Sequence, residues 1–134
     1  MDTLSIDALE RALATRDLSD PAQGPHAMQS LAADIQAAVA RHYDCTIQLL
    51  RGSPLVPVRD NYDDLGYSAQ AAARDARHGR YIGTGWMLRT HTTAVVPGWL
   101  RSWSDRTPRR LGLLRPGLVY RRDRIDRLHT AEPH

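Results

Sequence analysis

Two strings in the 134-residue chain hold residue types that can do chemistry. One is Leu88-Arg-Thr-His-Thr-Thr-Ala94, and the other is Pro116-Gly-Leu-Val-Tyr-Arg-Arg-Asp-Arg-Ile-Asp126, followed by His129 and Glu132. The second string sets guanidinium groups beside carboxylates. An arginine fork matches phosphate bidentately, so a nucleotide or nucleic acid is the partner such a string would seek. The surrounding charge agrees with this. Residues 89–127 hold ten Arg against Asp105, Asp123 and Asp126, a balance of +7, whereas residues 1–88 hold eight Arg against eleven acids, a balance of −3. A solvated basic surface is the alternative reading of the same excess.

Other chemistry is excluded by what is missing. All 18 basic residues are arginine, so neither a Walker A loop nor a lysine Schiff base can form. The acids are 13 Asp and only Glu10 and Glu132, a bias that a GC-rich coding sequence would produce and that carries no functional weight. Cys45 stands alone, which excludes an intramolecular disulfide or a CxxC motif and predicts a buried structural thiol. No pair among the six histidines has HxH or HExxH spacing, so no metal site is expected. Gly83-Thr-Gly85 begins like a dinucleotide loop, but Leu88 stands where the third glycine belongs. The chain has no GxSxG elbow either. With 42% hydrophobic and 25% charged residues and no apolar run of about 18, it reads as one ordinary soluble domain with no membrane span or leader, expected in the cytoplasm.

The elements that must position the two strings follow from periodicity. Leu4, Leu9 and Leu13 predict a short helix over 3–15, and Asp20, Pro21, Gly24 and Pro25 a linker. Met28, Leu31, Ile35, Val39 and His42 define one face of a helix over 26–43. Cys45 to Leu50 reads as a strand, and Gly52, Pro54 and Pro57 as an extended stretch after it. Residues 61–81 lack a clean period and predict a long irregular segment with a helical piece at 69–77. Residues 86–89 read as a brief strand, and Thr92 or Thr93 as the N-cap of a helix that carries Val95, Val96, Trp99, Leu100 and Trp103. Residues 112–114 and 118–120 read as strand, interrupted by Pro116 and Gly117.

Together the two strings resemble the catalytic core of the class II phenylalanyl-tRNA synthetase α chain, in which an Arg-Thr-His-Thr-Ser segment precedes Pro-Gly-Arg-Val-Tyr-Arg-Arg-Asp. The likeness extends upstream. Asn61-Tyr-Asp-Asp-Leu65 is similar to the family's Asn-Phe-Asp-x-Leu, and Ala73-Arg-Asp75 with Tyr81-Ile82 to its Ala-Arg-Asp and Tyr-Ile pair. The resemblance implies an α+β fold, an antiparallel sheet with flanking helices, incomplete at the C-terminus. Residues 1–25 would be an N-terminal helix and linker, and 26–134 a partial catalytic core. Helix 26–43 with the strand after it would be motif 1, the family's dimerisation element, giving a homo- or hetero-oligomer.

The implied activity is the activation of phenylalanine with ATP and Mg²⁺ and its transfer to tRNA. Charge that gathers on the α-phosphate in that reaction must be met by a fixed cation. The resemblance makes Arg121 the motif 2 arginine for that task, holding the α-phosphate and the amino-acid carboxylate. It sets Asp123 near the adenine amino group and His129 close to ATP, and makes His91 and Thr93 contacts of the substrate amino acid. No metal ligand is implied. Read without the family, His91 flanks a helix and His129 is an exposed loop residue.

Departures from the family pattern carry their own expectations. Leu118 replaces the arginine after Pro-Gly, Val96 stands where glutamine is frequent, and Pro133 replaces phenylalanine. The sequence ends before the family's returning strand, aromatic pocket and motif 3, so the chain alone is expected to be inactive, a fragment or a remnant, with 118–120 as an open sheet edge. Two other functions stay open: a non-catalytic nucleotide- or tRNA-binding or dimerisation module, and an amino-acid-activating paralogue that loads a carrier other than tRNA.

Overall fold

The structure is a computed structural model that describes residues 3–103, 110–123 and 125–128. The chain forms two compact units, each assembled from separated segments. One takes its described residues from 1–15, 53–101 and 118–134, and the other from 16–52 and 102–117.

The first unit opens with helix α1 (Ile6–Ala14), capped by Ser5, whose hydroxyl accepts from the Ala8 N–H at 3.2 Å. Its sheet is antiparallel, with β4 (Trp86–Leu88) between β2 (Leu55–Pro57) and β3 (Arg80–Ile82). Helix α3 (Val58–Asn61) leaves β2 at once, and α4 (Val96–Arg101) follows a 3₁₀ turn at Thr92–Val95. Two apolar clusters hold these elements. Val56, Tyr62, Tyr81, Met87 and Ala94 form one, and Ala12, Leu88 and Tyr120 the other, with Leu4, Leu9, Leu55, Ile82 and Leu118 packed on it. Gly79 is required where it stands, because a Cβ there would lie 2.7 Å from the Tyr81 ring.

The second unit is built on α2 (Ala27–Tyr43), which ends on Asp44 in the left-handed conformation, φ 47°. Strand β1 (Thr46–Leu49) pairs in parallel with β5 (Leu111–Leu114). Arg115 closes this unit by donating to the carbonyls of Leu50 at 2.8 Å and Gly52 at 2.9 Å. No described helix is long and apolar enough to cross a membrane.

The α+β class is as expected, and several local readings change. The segment at 69–77 holds only a 3₁₀ turn at Ala72–Arg74. Strands β2 and β3 are present where an extended stretch and an irregular segment were expected, because both pair with β4. The helix after Thr92 begins one residue earlier as a 3₁₀ turn, with His91 at the N-cap position and no side-chain hydrogen bond capping it. Residues 118–120 form no strand and no open edge. Tyr120 donates its N–H to the Arg89 carbonyl at 2.9 Å, and Arg89 Nε donates to the Leu118 carbonyl at 2.8 Å. Cys45 is half-buried rather than buried.

Asp60 is the charge that α3 must bury. It is 5% exposed, and both carboxylate oxygens accept from Arg101 of α4, at 2.8 and 2.7 Å. Arg101 also binds Asp64 at 2.6 Å. A buried carboxylate left without its partner is strongly unfavourable. Arg101→Ala is therefore expected to lower the unfolding free energy by about 2 kcal/mol, reduced from the fully buried case because Arg101 is half exposed. Urea denaturation checks this; a loss below about 0.5 kcal/mol would show that Asp60 does not rely on the pair.

Candidate active site

The site is assembled around Asn61, the last residue of α3, and Thr90, two residues past β4. Both are buried. The Thr90 N–H donates to Asn61 Oδ1 at 3.1 Å, and Asn61 Nδ2 donates to Thr90 Oγ1 at 2.9 Å. The Thr90 carbonyl then accepts from Arg121 Nε at 3.0 Å. One threonine thus links α3, the end of β4 and the second chemical string. Its neighbours follow: Tyr62 is fixed beside Asn61, His91 beside Thr90, and Asp123 two residues beyond Arg121.

These residues surround a cavity of about 290 Å³ lined by Tyr62, Tyr67, Ala73, His78, Thr90, His91, Arg121 and Asp123. One wall is aromatic. The His91 ring stacks on Tyr67 with centroids 5.7 Å apart and an interplanar angle of 13°, and Tyr62 meets Tyr67 edge-on at 5.5 Å. Tyr62 is held from behind by its hydroxyl, which donates to the Ala73 carbonyl at 2.7 Å, and by the Arg74 guanidinium 5.1 Å above its ring. Tyr81 fastens the same segment, donating to the Arg74 carbonyl at 2.6 Å. Burial pushes its phenol up to about 12, so it stays a donor.

His91 is held below the ordinary imidazole range. Burial is the main cause, the Asn61 main chain opposes it, and the charge of Arg121 adds to the fall. The imidazole is therefore neutral at pH 7. Its Nδ1 shares a 2.6 Å hydrogen bond with Thr93 Oγ1, and its Nε2 is buried without a partner among the described residues. A ligand atom could satisfy that nitrogen.

Of the residues singled out from sequence, Arg121, Asp123 and His91 come together around the cavity. Thr93 is exposed, is not among the lining residues, and reaches the site by its bond to His91. His129 lies outside the described residues. Sequence reasoning gave no role to Asn61, Tyr62 or Thr90, although each stands in a quoted string, and it passed over Tyr67 and His78. Nothing local marks the last two; only the tertiary fold brings them to the cavity. Among the described residues no group of three or more His, Cys, Asp or Glu could hold a metal ion.

With this geometry in view, the comparison with known proteins is decisive. The family described as tRNA synthetases class II core domain (F) matches residues 21–134. The chain belongs to this family. It is 29% identical over 131 residues to the phenylalanine–tRNA ligase alpha subunit of Synechocystis sp., a match covering 95% of this chain and 38% of that protein. It is 34% identical over 74 residues to the alpha subunit of Nostoc punctiforme, covering 55% and 21%. It is also 34% identical over 82 residues to the mitochondrial phenylalanine–tRNA ligase of Saccharomyces cerevisiae, covering 60% and 18%. The chain thus spans 38% or less of the length of these relatives. The resemblance of its two strings to the synthetase α chain is borne out, and the cavity lies within a class II core.

The lowered pKa of His91 gives a sign that can be checked. The unfolded chain takes up a proton at this residue before the folded one does, so the stability from neutral His91 is full above 6.5 and is lost as pH falls below that value. In NMR titration the His91 ring should protonate below 6.5, and Arg121→Ala should move its midpoint upward by removing a nearby positive charge. An unmoved midpoint would show that Arg121 and His91 do not share the cavity.

Proposed function

We propose that the chain is a phenylalanine–tRNA ligase-like core whose cavity takes up ATP and an amino acid of the phenylalanine type for adenylate formation, the aminoacyl group then passing to tRNA. The observation that carries this reading is the convergence of Arg121, Asp123 and His91 on one cavity at the end of the β2–β4–β3 sheet. The tRNA step is inferred from the relatives, which are phenylalanine–tRNA ligases.

In this reaction an oxygen of the amino-acid carboxylate attacks the α-phosphorus of ATP. A new P–O bond forms, the bond from that phosphorus to the bridging oxygen breaks, and pyrophosphate leaves with its electrons. Negative charge gathers on the equatorial phosphate oxygens, where the Arg121 guanidinium can meet it. Its Nε is already tied to the Thr90 carbonyl, so the fork is oriented before the ligand arrives. His91, neutral, can hold the substrate without repelling its ammonium group, and Thr93 sets the orientation of the ring. Asp123, the one carboxylate among the lining residues, accepts hydrogen bonds only, which suits the adenine amino group. The described residues provide no cage for Mg²⁺, so in this reading the ion arrives on the nucleotide phosphates.

Calorimetry with a non-hydrolysable phenylalanyl-adenylate analogue tests the site. The chain should bind it, and Arg121→Ala should weaken binding about 100-fold while leaving the fold intact. Absence of binding at millimolar analogue, or an unchanged constant in Arg121→Ala, would overturn the reading.

The partner half of the proposal rests on α2. None of its residues is buried, and Met28, Leu31 and Ile35, spaced three and four apart on one face, are 46%, 52% and 45% exposed. Apolar surface of that kind is a binding face. We expect the chain to self-associate or to pair with a longer subunit through it. Sedimentation should show a dimer at about 50 µM that Leu31→Asp converts to monomer, whereas a wild-type monomer at that concentration would count against this interface.

A further inference from the structure

Tyr67 lines the cavity, stands outside every quoted string and has so far no part in the proposed reaction. Its place is fixed by the turn that ends the 3₁₀ helix Asp63–Leu65. Gly66 takes the left-handed conformation there, φ 82°, which a side chain would strain, and the Tyr67 N–H then donates to the Tyr62 carbonyl at 3.0 Å. The chain is thereby folded back over Tyr62, and the two rings meet edge-on with centroids 5.5 Å apart. Tyr62 is fully buried and is held by its hydroxyl and by Arg74, so it forms a rigid base for Tyr67.

What Tyr67 covers is His91. The two rings are nearly parallel, 13° apart in plane with centroids at 5.7 Å, an offset stack, and Tyr62 meets the same imidazole edge-on at 6.5 Å. The imidazole makes its hydrogen bond through Nδ1, to Thr93 Oγ1 at 2.6 Å. One bond at one nitrogen leaves the ring plane free to swing, and Thr93 is exposed, so water competes for its hydroxyl. The stack removes that freedom. With Nδ1 tied and the plane set, the position of Nε2, buried without a partner among the described residues, is fixed as well. Tyr67 itself is 40% exposed and belongs to neither apolar cluster, so its ring is a cover over His91 and not a part of the core.

We infer that Tyr67 is a positioning residue for His91, its stacked ring setting the plane of the imidazole and keeping water from it. What the imidazole is positioned for rests on the proposed reading of the cavity, whereas the stack itself needs no ligand. The other charged and titratable groups that line the cavity are Arg121 and Asp123, from the 121–123 segment, and His78, from the turn before β3. Arg121 lowers the pKa of His91 by its charge whether or not Tyr67 is present, so a change seen on replacing Tyr67 reports the lost cover.

Two measurements on the 134-residue chain test the inference: NMR titration of the His91 ring without ligand, and calorimetry with the phenylalanyl-adenylate analogue. Tyr67→Ala should raise the His91 midpoint toward 6.5, because the imidazole regains water, and should weaken analogue binding about tenfold. Tyr67→Phe keeps the ring and should retain both properties. Tyr67→Leu keeps an apolar cover without a ring plane, so its midpoint should stay near that of the wild type while binding weakens; this variant decides the matter should Tyr67→Ala not fold. An unmoved midpoint in folded Tyr67→Ala, undiminished binding in Tyr67→Leu, or a Tyr67→Phe that behaves as Tyr67→Ala would each overturn the role of Tyr67 while the cavity reading stands. If the wild type does not bind the analogue but the midpoint still rises in Tyr67→Ala, the cover over His91 is supported and the cavity reading alone fails.

Discussion

The paired hydrogen bonds between Asn61 and Thr90 are the constraint on which the site depends. They join α3 to Thr90, two residues past β4, and they do so where water cannot replace them. Each bond made contributes about 1 kcal/mol net, but breaking one leaves a buried polar group that costs about 1–3 kcal/mol. The arrangement is therefore held mainly by the penalty for leaving it. Every hydrogen-bonding group of Thr90 is committed: its N–H and hydroxyl to Asn61, and its carbonyl to Arg121. A shift of α3 would therefore move Tyr62, His91 and Arg121 together.

Charge is used in two ways around this joint. On one side the Asp60, Asp64, Arg59 and Arg101 network fixes α3 from outside. Burial acts to raise the pKa of Asp64, yet the hydrogen bond and charge of Arg59 and the charge of Arg101 outweigh it and keep the group ionised. On the other side, Arg121 lines the cavity and donates from Nε to the Thr90 carbonyl. Its remaining nitrogens have no partner among the described residues, whereas Arg89, only 3% exposed, uses its guanidinium on the Leu118 and Ser53 carbonyls. The surplus of +7 counted over residues 89–127 is thus not all directed at anions. Arg89, Arg101 and Arg115 are structural, binding carbonyls or an aspartate pair, and a formal charge count cannot separate them from Arg121.

What could be read from the sequence follows the range of the interactions. Helices α1 and α2 repeat at three and four with capping residues at their ends, so each is decided within its own segment. Strands β2 and β3, three residues each, carry no period of their own and exist because β4 lies between them. The segment at 69–77 has helix-forming alanines, but its carbonyls at Ala73 and Arg74 are taken by the Tyr62 and Tyr81 hydroxyls, which fix a turn instead. At the site, Arg121 and His91 stand in dense polar strings, but their roles were legible only through the likeness of those strings to the synthetase family. Tyr67 and His78 were not, since each is an ordinary residue until the fold brings it to the cavity.

The same geometry brings a guanidinium and an uncharged imidazole to one small cavity. A protonated His91 beside Arg121 would set two cations side by side in the cavity. The structure avoids this by removing the imidazole from water against Tyr67 and Tyr62, and the charge of Arg121 itself adds to the pressure against protonation. The guanidinium therefore adds to burial in keeping its neighbour neutral. The two strings are thus not independent of one another. The hydrogen bond from Arg121 Nε to the Thr90 carbonyl brings them close enough for the charge of Arg121 to add, as a cause smaller than burial, to the lowering of the His91 pKa.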